Sequence, residues 1–360
     1  MSYNFSPGPA VLPSRVLAEA AVQLVDFRST GMSILEMSHR SQAYEEVHRE
    51  ALDMWRRLYA VPVDFEVIFV QGGASTQFAM VPLNLLGEGD SADYICTGNW
   101  SQKAIKEVDA VGRKCRIAGS SEERDFSYIP TPAQLDLDGR ARYVHITTNN
   151  TIYGTQYGTL PNTGSVRLVA DISSDMLSQP LDWSRLGLVY GGAQKNAGIA
   201  GLTVVCLHRD LLQCRSTGVP TMLQYETHTS ANSLHNTPPV FAVYMLNLVL
   251  HWIEAQGGLS AVAARNRHKA GLVYQVLDQY PEFYCGHAEQ KSRSSMNITF
   301  RLANRALEEP FCAAAEGAGL QGLKGHRAVG GVRASVYNAM PVEGCQALAD
   351  FMLTFARTKG

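Results

Sequence analysis

The sequence has no excess of charge of either sign. Its 360 residues carry 31 Lys and Arg against 33 Asp and Glu, which gives a formal net charge of -2. A chain without a strong field of one sign has no general means of attracting nucleic acid or an acidic membrane. We therefore expect a small-molecule partner, and neither nucleic acid nor membrane.

Cysteine pairs of the metal-binding or redox type are also absent. The seven cysteines are odd in number, and no two of them form a C-x-x-C pair. They are Cys96, Cys115, Cys206, Cys214, Cys285, Cys312 and Cys345. Four of them lie in apolar runs, which is typical of reduced thiols. The pattern predicts a cytoplasmic protein, and we expect no metal site.

Targeting and membrane segments are not recognisable either. The residues from Met1 to Ala10 lack the basic start and the apolar stretch of a signal peptide. The most apolar stretch, from Val240 to Ile253, is interrupted by Asn247 and His251. It is shorter than the roughly 20 residues that span a bilayer. We expect it to form a buried helix.

Short β-rich runs recur through the first 210 residues, several of them separated by segments long enough to hold a helix. They are Glu66–Val70, Asp93–Thr97, Arg113–Ile117, Tyr143–Thr147, Arg167–Asp171, Leu188–Tyr190 and Thr203–Leu207. Strands that alternate with helices predict an α/β layer with a mainly parallel, seven-stranded sheet. The last two runs are separated only by Gly191 to Leu202, so the final strand could be antiparallel.

The pattern changes after this region to long helical segments and a few strands. The predicted helices are Pro239–Ala255, Leu259–Gln279, Glu309–Ala318 and Glu343–Arg357, and the predicted strands are Met296–Leu302 and Val332–Ser335. A chain of this length and apolar content can fill two unequal cores. We expect a large cofactor-binding domain over residues 16–260 and a smaller α+β domain from residues 1–15 and 261–360.

Asp171 and Lys195 each stand where an apolar strand ends. The carboxyl ends of strands in an α/β sheet are where ligands bind, so both side chains would face one crevice. A lysine amine there can form a Schiff base with an aldehyde, and a carboxylate can keep a pyridine nitrogen protonated. These are the requirements of pyridoxal-phosphate (PLP) chemistry. The pair alone also fits an exposed loop lysine and a helix N-cap.

Three further strand ends carry residues that suit the same cofactor. Gly72 to Ser75 form a glycine turn before a helix, where backbone N–H groups and a hydroxyl can bind one phosphate. Trp100 could stack on an aromatic ring, and Thr151 could donate to a ring oxygen. Each has an ordinary structural explanation by itself, but their convergence with Lys195 favours a PLP site.

Cationic residues occur in two His-Arg pairs among small or apolar neighbours. His39-Arg40 is one pair, and His326-Arg327, followed by Arg333, is the other. Arginine binds carboxylates and phosphates with two parallel hydrogen bonds. These residues predict an amino-acid substrate with a second anionic group, although isolated surface charges would look the same.

Several motifs together resemble those of the phosphoserine aminotransferase family, within the class-V, fold-type-I PLP enzymes. They are Phe5-Ser-Pro-Gly-Pro, Ser38-His-Arg40, Gly72-Gly-Ala-Ser75, Gly191-Gly-Ala-Gln-Lys195-Asn, Asn236-Thr-Pro-Pro239, Gly325-His-Arg327 and Gly330-Gly-Val-Arg-Ala-Ser-Val-Tyr-Asn338. The match runs nearly end to end. The lysine motif, the Asn-Thr-Pro-Pro segment and the Gly-His-Arg block are its most specific parts.

The resemblance implies a homodimer and the conversion of 3-phosphohydroxypyruvate and glutamate to phosphoserine and 2-oxoglutarate, in serine biosynthesis. In bacterial members a phosphorylated four-carbon hydroxy amino acid, 4-phosphohydroxy-L-threonine of pyridoxal phosphate synthesis, is a second substrate. The resemblance also assigns cofactor contacts and two catalytic groups, Lys195 and Asp171. The cofactor-binding residues would be Ala74, Ser75, Trp100, Thr151, Asp171, Gln194 and Lys195, with Asn236 and Thr237 from the partner subunit.

The substrate-binding residues follow from the same resemblance. Arg333 is similar to the family's α-carboxylate anchor. His39, Arg40, His326 and Arg327 resemble the group that receives the phosphate or the glutamate side chain. Some members have Gly-Arg where this chain has Ala74-Ser75, so the hydroxyl and backbone alone would bind the cofactor phosphate here.

Three alternatives remain open from the sequence. One is a transaminase that acts on serine or alanine with glyoxylate, which would not need two His-Arg pairs. The others are a nucleotide-binding α/β protein, whose glycine turn holds a diphosphate, and a non-catalytic relative that only binds an amino acid. A protein of either of these last two kinds would be colourless.

Overall fold

The computed structural model describes residues 2–213 and 218–359. Its first half contains β1 (Tyr3–Asn4), α1 (Ser14–Gln23), α2 (Gln42–Tyr59), β2 (Phe65–Val70), α3 (Gly73–Leu85), β3 (Ser91–Cys96), α4 (Asn99–Ala110), β4 (Lys114–Ser120), β5 (Val144–Thr147), β6 (Asn149–Asn150), β7 (Thr155–Gln156) and β8 (Leu168–Asp171). Its second half contains β9 (Leu186–Gly192), β10 (Thr203–His208), α5 (Tyr225–Ser230), α6 (Val240–Ala255), α7 (Gly258–Gln279), β11 (Tyr284–Gly286), β12 (Asn297–Leu302), α8 (Glu308–Gly317), β13 (Leu320–Gln321), β14 (Val332–Ser335) and α9 (Val342–Lys359).

The central feature is a seven-stranded sheet in the order β2-β10-β9-β8-β5-β3-β4. Only β10 runs against its two neighbours, and the other pairs in this sheet are parallel. The chain passes from β9 to β10 through a short excursion, whose ends are joined by the Ala193 N–H and the Leu202 carbonyl at 2.9 Å. The predicted mainly parallel sheet and the antiparallel final strand are both confirmed.

Helices cover both faces of this sheet, as the alternation of side chains along β2 illustrates. Val67 and Phe69 join the core formed with α1, α2 and α6, whereas Ile68 and Val70 join the core formed with α3 and α4. Successive residues of a strand point to opposite faces, so a strand covered on both faces is a continuous apolar run. This explains why the seven strands could be found in the sequence.

A third core belongs to the C-terminal part of the chain. The antiparallel sheet β11-β12-β14 packs with α7, α8 and α9, and Phe5 joins this core from the N-terminus. The N-terminal strand β1 pairs in parallel with β13. The smaller α+β domain is therefore confirmed as a fold unit, and the proposed boundaries at residues 15 and 260 stay a prediction.

The predicted C-terminal helices and strands are present, with ends that differ by one or two residues. Helix α6 is mostly buried, as expected for the apolar stretch. In the described part of the chain, no helix combines the length and apolar character needed to cross a bilayer. The six described cysteines are free thiols, and Cys214 lies outside the described residues.

Candidate active site

Five parallel strands bring their carboxyl ends to one edge of the large sheet. They are β2, β3, β5, β8 and β9, and the residues that follow them surround a cavity of about 210 Å³. The lining residues are Gly72, Gly73, Ala74, Ser75, Trp100, Thr147, Asn149, Asp171, Ser173, Ser174, Gln194 and Lys195. The predicted convergence of strand ends is therefore present at a single cavity.

Lys195 lies on the short excursion between β9 and β10. Its Nζ donates a hydrogen bond to Thr151 Oγ1 at 2.7 Å and lies 5.5 Å from the centre of the Trp100 ring. Burial lowers the pKa of Lys195 to about 8, because desolvation penalises the ammonium form. The negative charge of Asp171 opposes this shift, and the charge of Arg333 adds to it. The pKa of the Lys195 amine is thus close to that of a nucleophile that works near neutral pH.

Asp171 ends β8 and is only 3% exposed. Its Oδ1 accepts a hydrogen bond from the Ser173 N–H at 2.9 Å. Burial raises the pKa of Asp171, while the hydrogen bonds from Ser173 and the charge of Lys195 lower it. A carboxylate held in this way beside a cavity suits a cationic or N–H partner.

The N-terminus of α3 forms a small cradle at the end of the same cavity. Gly72 has a φ of 94° and caps the helix, and Thr76 Oγ1 donates to its carbonyl at 3.0 Å. A Cβ at Gly72 would approach Thr76 Oγ1 to 2.0 Å, so only glycine fits here. The first turn carries no acidic residue, and its free N–H groups favour an anion.

Two polar atoms beside the cavity are buried without a hydrogen-bond partner among the described residues. They are Trp100 Nε1 and Thr147 Oγ1. Buried polar groups are normally satisfied, so such atoms call for a ligand or water that completes them. Trp100 stands at the start of α4, where the Ser101 hydroxyl accepts the Thr97 and Gly98 N–H groups at 3.0 Å and so fixes the turn.

Arg333 is a buried cation from the small domain. It lies on β14, is 6% exposed, and its Nε has no hydrogen-bond partner in the described chain. None of the ion pairs formed by the described residues includes Arg333. Burial lowers the pKa of Arg333, and its charge acts on Lys195. A buried, unpaired guanidinium near a reactive amine is a site for a carboxylate.

The second cationic group lies in the turn before β14. His326 Nδ1 accepts the Ala328 N–H at 3.2 Å, and Arg327 is exposed. Burial lowers the pKa of His326, and the charges of Arg333, Arg327 and Lys103 lower it further. Lys103 Nζ also lies 4.7 Å from the centre of the Trp100 ring. Arg333, Arg327 and Lys103 form one positive region around the His326 imidazole, and the sequence analysis did not identify Lys103 as part of it.

Eight predicted residues are not among those that line the cavity, namely Thr151, His326, Arg327, Arg333 and four more. His39 and the exposed Arg40 precede α2, and Asn236 lines a different cavity of about 200 Å³, which shares Gly72 with the first. The carbonyl of Thr237 accepts a hydrogen bond from Gln71 at 3.0 Å. The roles assigned to these residues, as to the other predicted site residues, stay predictions.

The sequence analysis missed several polar residues that contact the site. Thr147, Asn149, Ser173 and Ser174 line the cavity directly. Asp175 lies behind them, with its carboxylate bound by Thr148 and Gln156, and burial raises its pKa to about 6. Their signal was their position at the end of β5 or β8 or within a few residues after it, the same signal that identified Asp171.

Comparison with known proteins places this geometry in a family. A family model of class-V aminotransferases matches residues 2–348. A phosphoserine aminotransferase of Lysinibacillus sphaericus (strain C3-41) is 53% identical over 354 residues, which cover 98% of each chain. The phosphoserine aminotransferase structure from Bacillus circulans subsp. alkalophilus aligns with a TM-score of 0.97 at 50% identity, covering 100% of this chain and 99% of that one.

The chain belongs to the class-V aminotransferases. A further phosphoserine aminotransferase structure, described by radiation damage to its Schiff base, aligns with a TM-score of 0.97 at 47% identity and 99% coverage of both chains. The family prediction, the PLP cofactor and the transaminase class are confirmed. The nucleotide-binding alternative is thereby set aside.

The residues present fit the cofactor of a class-V aminotransferase. The α3 cradle accepts a phosphate, and Trp100 borders the cavity where a ring could stack. Asp171 offers a carboxylate to a protonated ring nitrogen, and Lys195 offers an amine to an aldehyde. The unpaired Trp100 Nε1 and Thr147 Oγ1 leave donors for further ligand atoms. The phosphate, the ring and the carbonyl of the cofactor would each have a suitable protein group beside them.

Proposed function

We propose that this class-V aminotransferase transfers an amino group between O-phospho-L-serine and 2-oxoglutarate, yielding 3-phosphohydroxypyruvate and L-glutamate, in either direction. The observation that carries the proposal is the single cavity in which Lys195 and Asp171 interact, with the unpaired Arg333 close enough to affect the Lys195 pKa. High identity over nearly the full length to phosphoserine aminotransferases supports the choice of substrate.

Each residue of the cavity has a separate role in transamination. Bound PLP supplies an electrophilic carbonyl and an electron-withdrawing ring. Lys195 Nζ would hold that carbonyl as its covalent attachment point and, when free, would be the base that moves the proton between the substrate Cα and the cofactor C4′ carbon. Asp171 holds the proton on the ring nitrogen, and Trp100 stacks on the ring. Thr151 bonds the ring hydroxyl.

The cradle binds the phosphate of the cofactor, and the positive region binds the anionic groups of the substrate. Ala74, Ser75 and Gln194 bind the cofactor phosphate, with Asn236 and Thr237 of a second subunit. Arg333 binds the substrate α-carboxylate, which is common to both amino acids. A shared pocket of cations receives the phosphate of phosphoserine or the side-chain carboxylate of glutamate. Its members are His39, Arg40, His326 and Arg327.

A homodimer is part of the proposal, because His39, Arg40, Asn236 and Thr237 do not line the cavity of one chain. Support comes from apolar side chains exposed between residues 17 and 35, shortly before His39. They are Leu17, Val22, Val25, Met32 and Leu35, and Val25 is 82% exposed. Several exposed apolar side chains in one short stretch of chain favour an interface there. A second copy covering it could place its His39 and Arg40 near the first copy's cavity.

The remaining parts of the proposal concern cellular role. We place the enzyme in serine biosynthesis and in the cytoplasm, and we include 4-phosphohydroxy-L-threonine as a second substrate in pyridoxal phosphate synthesis. The domain boundaries are proposed at residues 15 and 260. The near-neutral charge and the free thiols support a cytoplasmic enzyme of small molecules.

One experiment tests the cofactor site. The purified protein should be yellow and lose that absorbance on borohydride reduction, and peptide mapping should place a phosphopyridoxyl group on the peptide containing Lys195. A matched Lys291→Met variant, changed at a lysine of the small domain, should behave as the parent does. An adduct at any other residue would remove the assigned role of Lys195.

A second experiment tests the substrate. Arg327→Leu should raise the KM for phosphoserine by about 10- to 100-fold, because a hydrogen bond to a charged group contributes roughly 1.5 to 3 kcal/mol. Under the glyoxylate alternative the parent enzyme would instead prefer serine or alanine with glyoxylate. An unchanged KM for phosphoserine in the variant would contradict the phosphate assignment.

A further inference from the structure

Lys269 is a fully buried lysine outside the active site. It lies on α7 with an exposed fraction of 0%. Its Nζ lies within hydrogen-bond distance of four backbone carbonyls in the segment after β14. These are the carbonyls of Val336 at 3.0 Å, Tyr337 at 2.6 Å, Asn338 at 3.5 Å and Met340 at 3.0 Å. The ammonium group is therefore held by main-chain oxygen atoms alone.

No described acidic side chain forms an ion pair with Lys269. Buried lysines normally have such a partner, because an uncompensated charge is costly inside a protein. Burial lowers the pKa of Lys269 to about 8, so the group is still charged at pH 7. The carbonyl dipoles replace the missing anion, much as rings of carbonyls coordinate potassium ions in channels.

The carbonyl segment connects both sides of the active site. It follows β14, which carries Arg333. The Asn338 N–H donates to Asn196 Oδ1 at 2.9 Å, next to Lys195 in the chain, and Asn338 Nδ2 donates to the Leu177 carbonyl at 2.9 Å. The segment is thus bonded to the large domain at one side and continuous with the Arg333 strand at the other.

We propose that the Lys269 ammonium occupies a monovalent-cation site built from these four carbonyls, and that this built-in cation fixes the segment 336–340 so that Arg333 is correctly placed relative to Lys195. Lys269 is then a positioning residue, since it contacts neither substrate nor cofactor. Removing the side chain but not the carbonyls should leave a site that potassium or ammonium ions can fill.

The experiment compares Lys269→Ala with the parent enzyme in KCl and in choline chloride at equal ionic strength. The Tm of the variant holoenzyme should be lower in choline by about 5 °C or more, on the scale at which lost interactions shift melting. Ammonium chloride should restore it as KCl does. The matched control is Arg267→Ala, which removes an exposed cation from the same helix and should show no such salt effect.

The kinetic arm rests on the proposed function. In choline, the KM of Lys269→Ala for phosphoserine should rise about tenfold, with a smaller change in kcat, and KCl should reverse the rise. The melting arm needs no substrate, so it stands even if another amino donor proves correct. A variant with the same Tm in KCl, ammonium chloride and choline chloride would overturn the proposal.

Lys269→Gln is the second variant, used if Lys269→Ala yields no folded protein in KCl. Its amide keeps two N–H donors but no charge. The proposal predicts a lower Tm and a higher KM for phosphoserine than in Arg267→Ala. Parental values of both quantities in Lys269→Gln would overturn it.

Discussion

The Lys195 ammonium and the Thr151 hydroxyl are joined by a 2.7 Å hydrogen bond between two separate loops. Lys195 follows β9, whereas Thr151 follows the short strand β6. The contact fixes the position of the amine beside the cavity. The Thr151 hydroxyl can also donate to a ligand oxygen, because a hydroxyl both accepts and donates hydrogen bonds.

Thr151→Val should weaken PLP binding. The substitution keeps the shape of the side chain and removes the hydroxyl, so the dissociation constant for PLP should rise about 10- to 100-fold on the scale of a hydrogen bond to a charged group. Absorbance titration of the apoprotein measures this constant. Thr151→Ser retains the hydroxyl and should remain within a few-fold of the parent, and equal losses in both variants would contradict the role of the hydroxyl.

The rate at which apoprotein captures PLP should rise with pH through a midpoint near pH 8. Only the neutral amine attacks a carbonyl, and the pKa of Lys195 is lowered to about 8. Asp171→Asn removes a charge that raises this pKa, so its midpoint should move to lower pH. Arg333→Leu removes a charge that lowers it, so its midpoint should move upward. Stopped-flow absorbance gives the three midpoints, and shifts of the opposite sign would refute the electrostatic assignment.

Arg333→Leu should also raise the KM for both amino acids. The proposed partner is the α-carboxylate, which phosphoserine and glutamate share, so each KM should increase by about 10- to 100-fold. Arg327→Leu serves as the comparison, because it should affect only the distal anions. Steady-state kinetics with L-serine, which has the α-carboxylate but no distal anion, separates the two cases, because Arg333→Leu should raise its KM and Arg327→Leu should not. A rise confined to one donor in Arg333→Leu would argue against a carboxylate anchor.

Gly72→Ala should destabilise the protein and weaken cofactor binding. Its φ of 94° is unfavourable for alanine, and the new Cβ would collide with Thr76 Oγ1. The backbone strain alone should cost about 1 to 3 kcal/mol. Gly112→Ala has a similar φ of 70° with no atom within 4 Å, so it isolates the strain from the collision. Thermal unfolding of both variants measures the difference, which should vanish if the collision is unimportant.

The sequence was sufficient to predict the elements whose pattern is local. The buried strands are continuous apolar runs, and residues such as Asp171 and Lys195 stand where those runs end. The antiparallel β10 was suggested by the shortness of Gly191 to Leu202, which is at the lower limit for a crossover connection. These predictions needed no knowledge of distant contacts.

Other features depend on contacts that no local pattern encodes. Lys269 stands in a polar part of α7 and would be expected at the surface, because its carbonyl partners lie about 70 residues away. Helix α2 was not predicted, although Val47, Ala51 and Trp55 lie on its buried side. The position of His39 relative to Lys195 depends on how two chains meet.

The reversal of β10 fixes the length of the loop that carries the catalytic lysine. Gly192 pairs with Thr203, so the residues from 193 to 202 close a loop on two strands in fixed register. Inserting or deleting one residue within β9 or β10 would turn the side chains that follow to the opposite face of the sheet. A change of length could be absorbed only inside the loop, where it would move the amine. Within this fold the lysine can therefore be substituted, but the number of residues that separates it from β9 and from β10 cannot change without moving the amine.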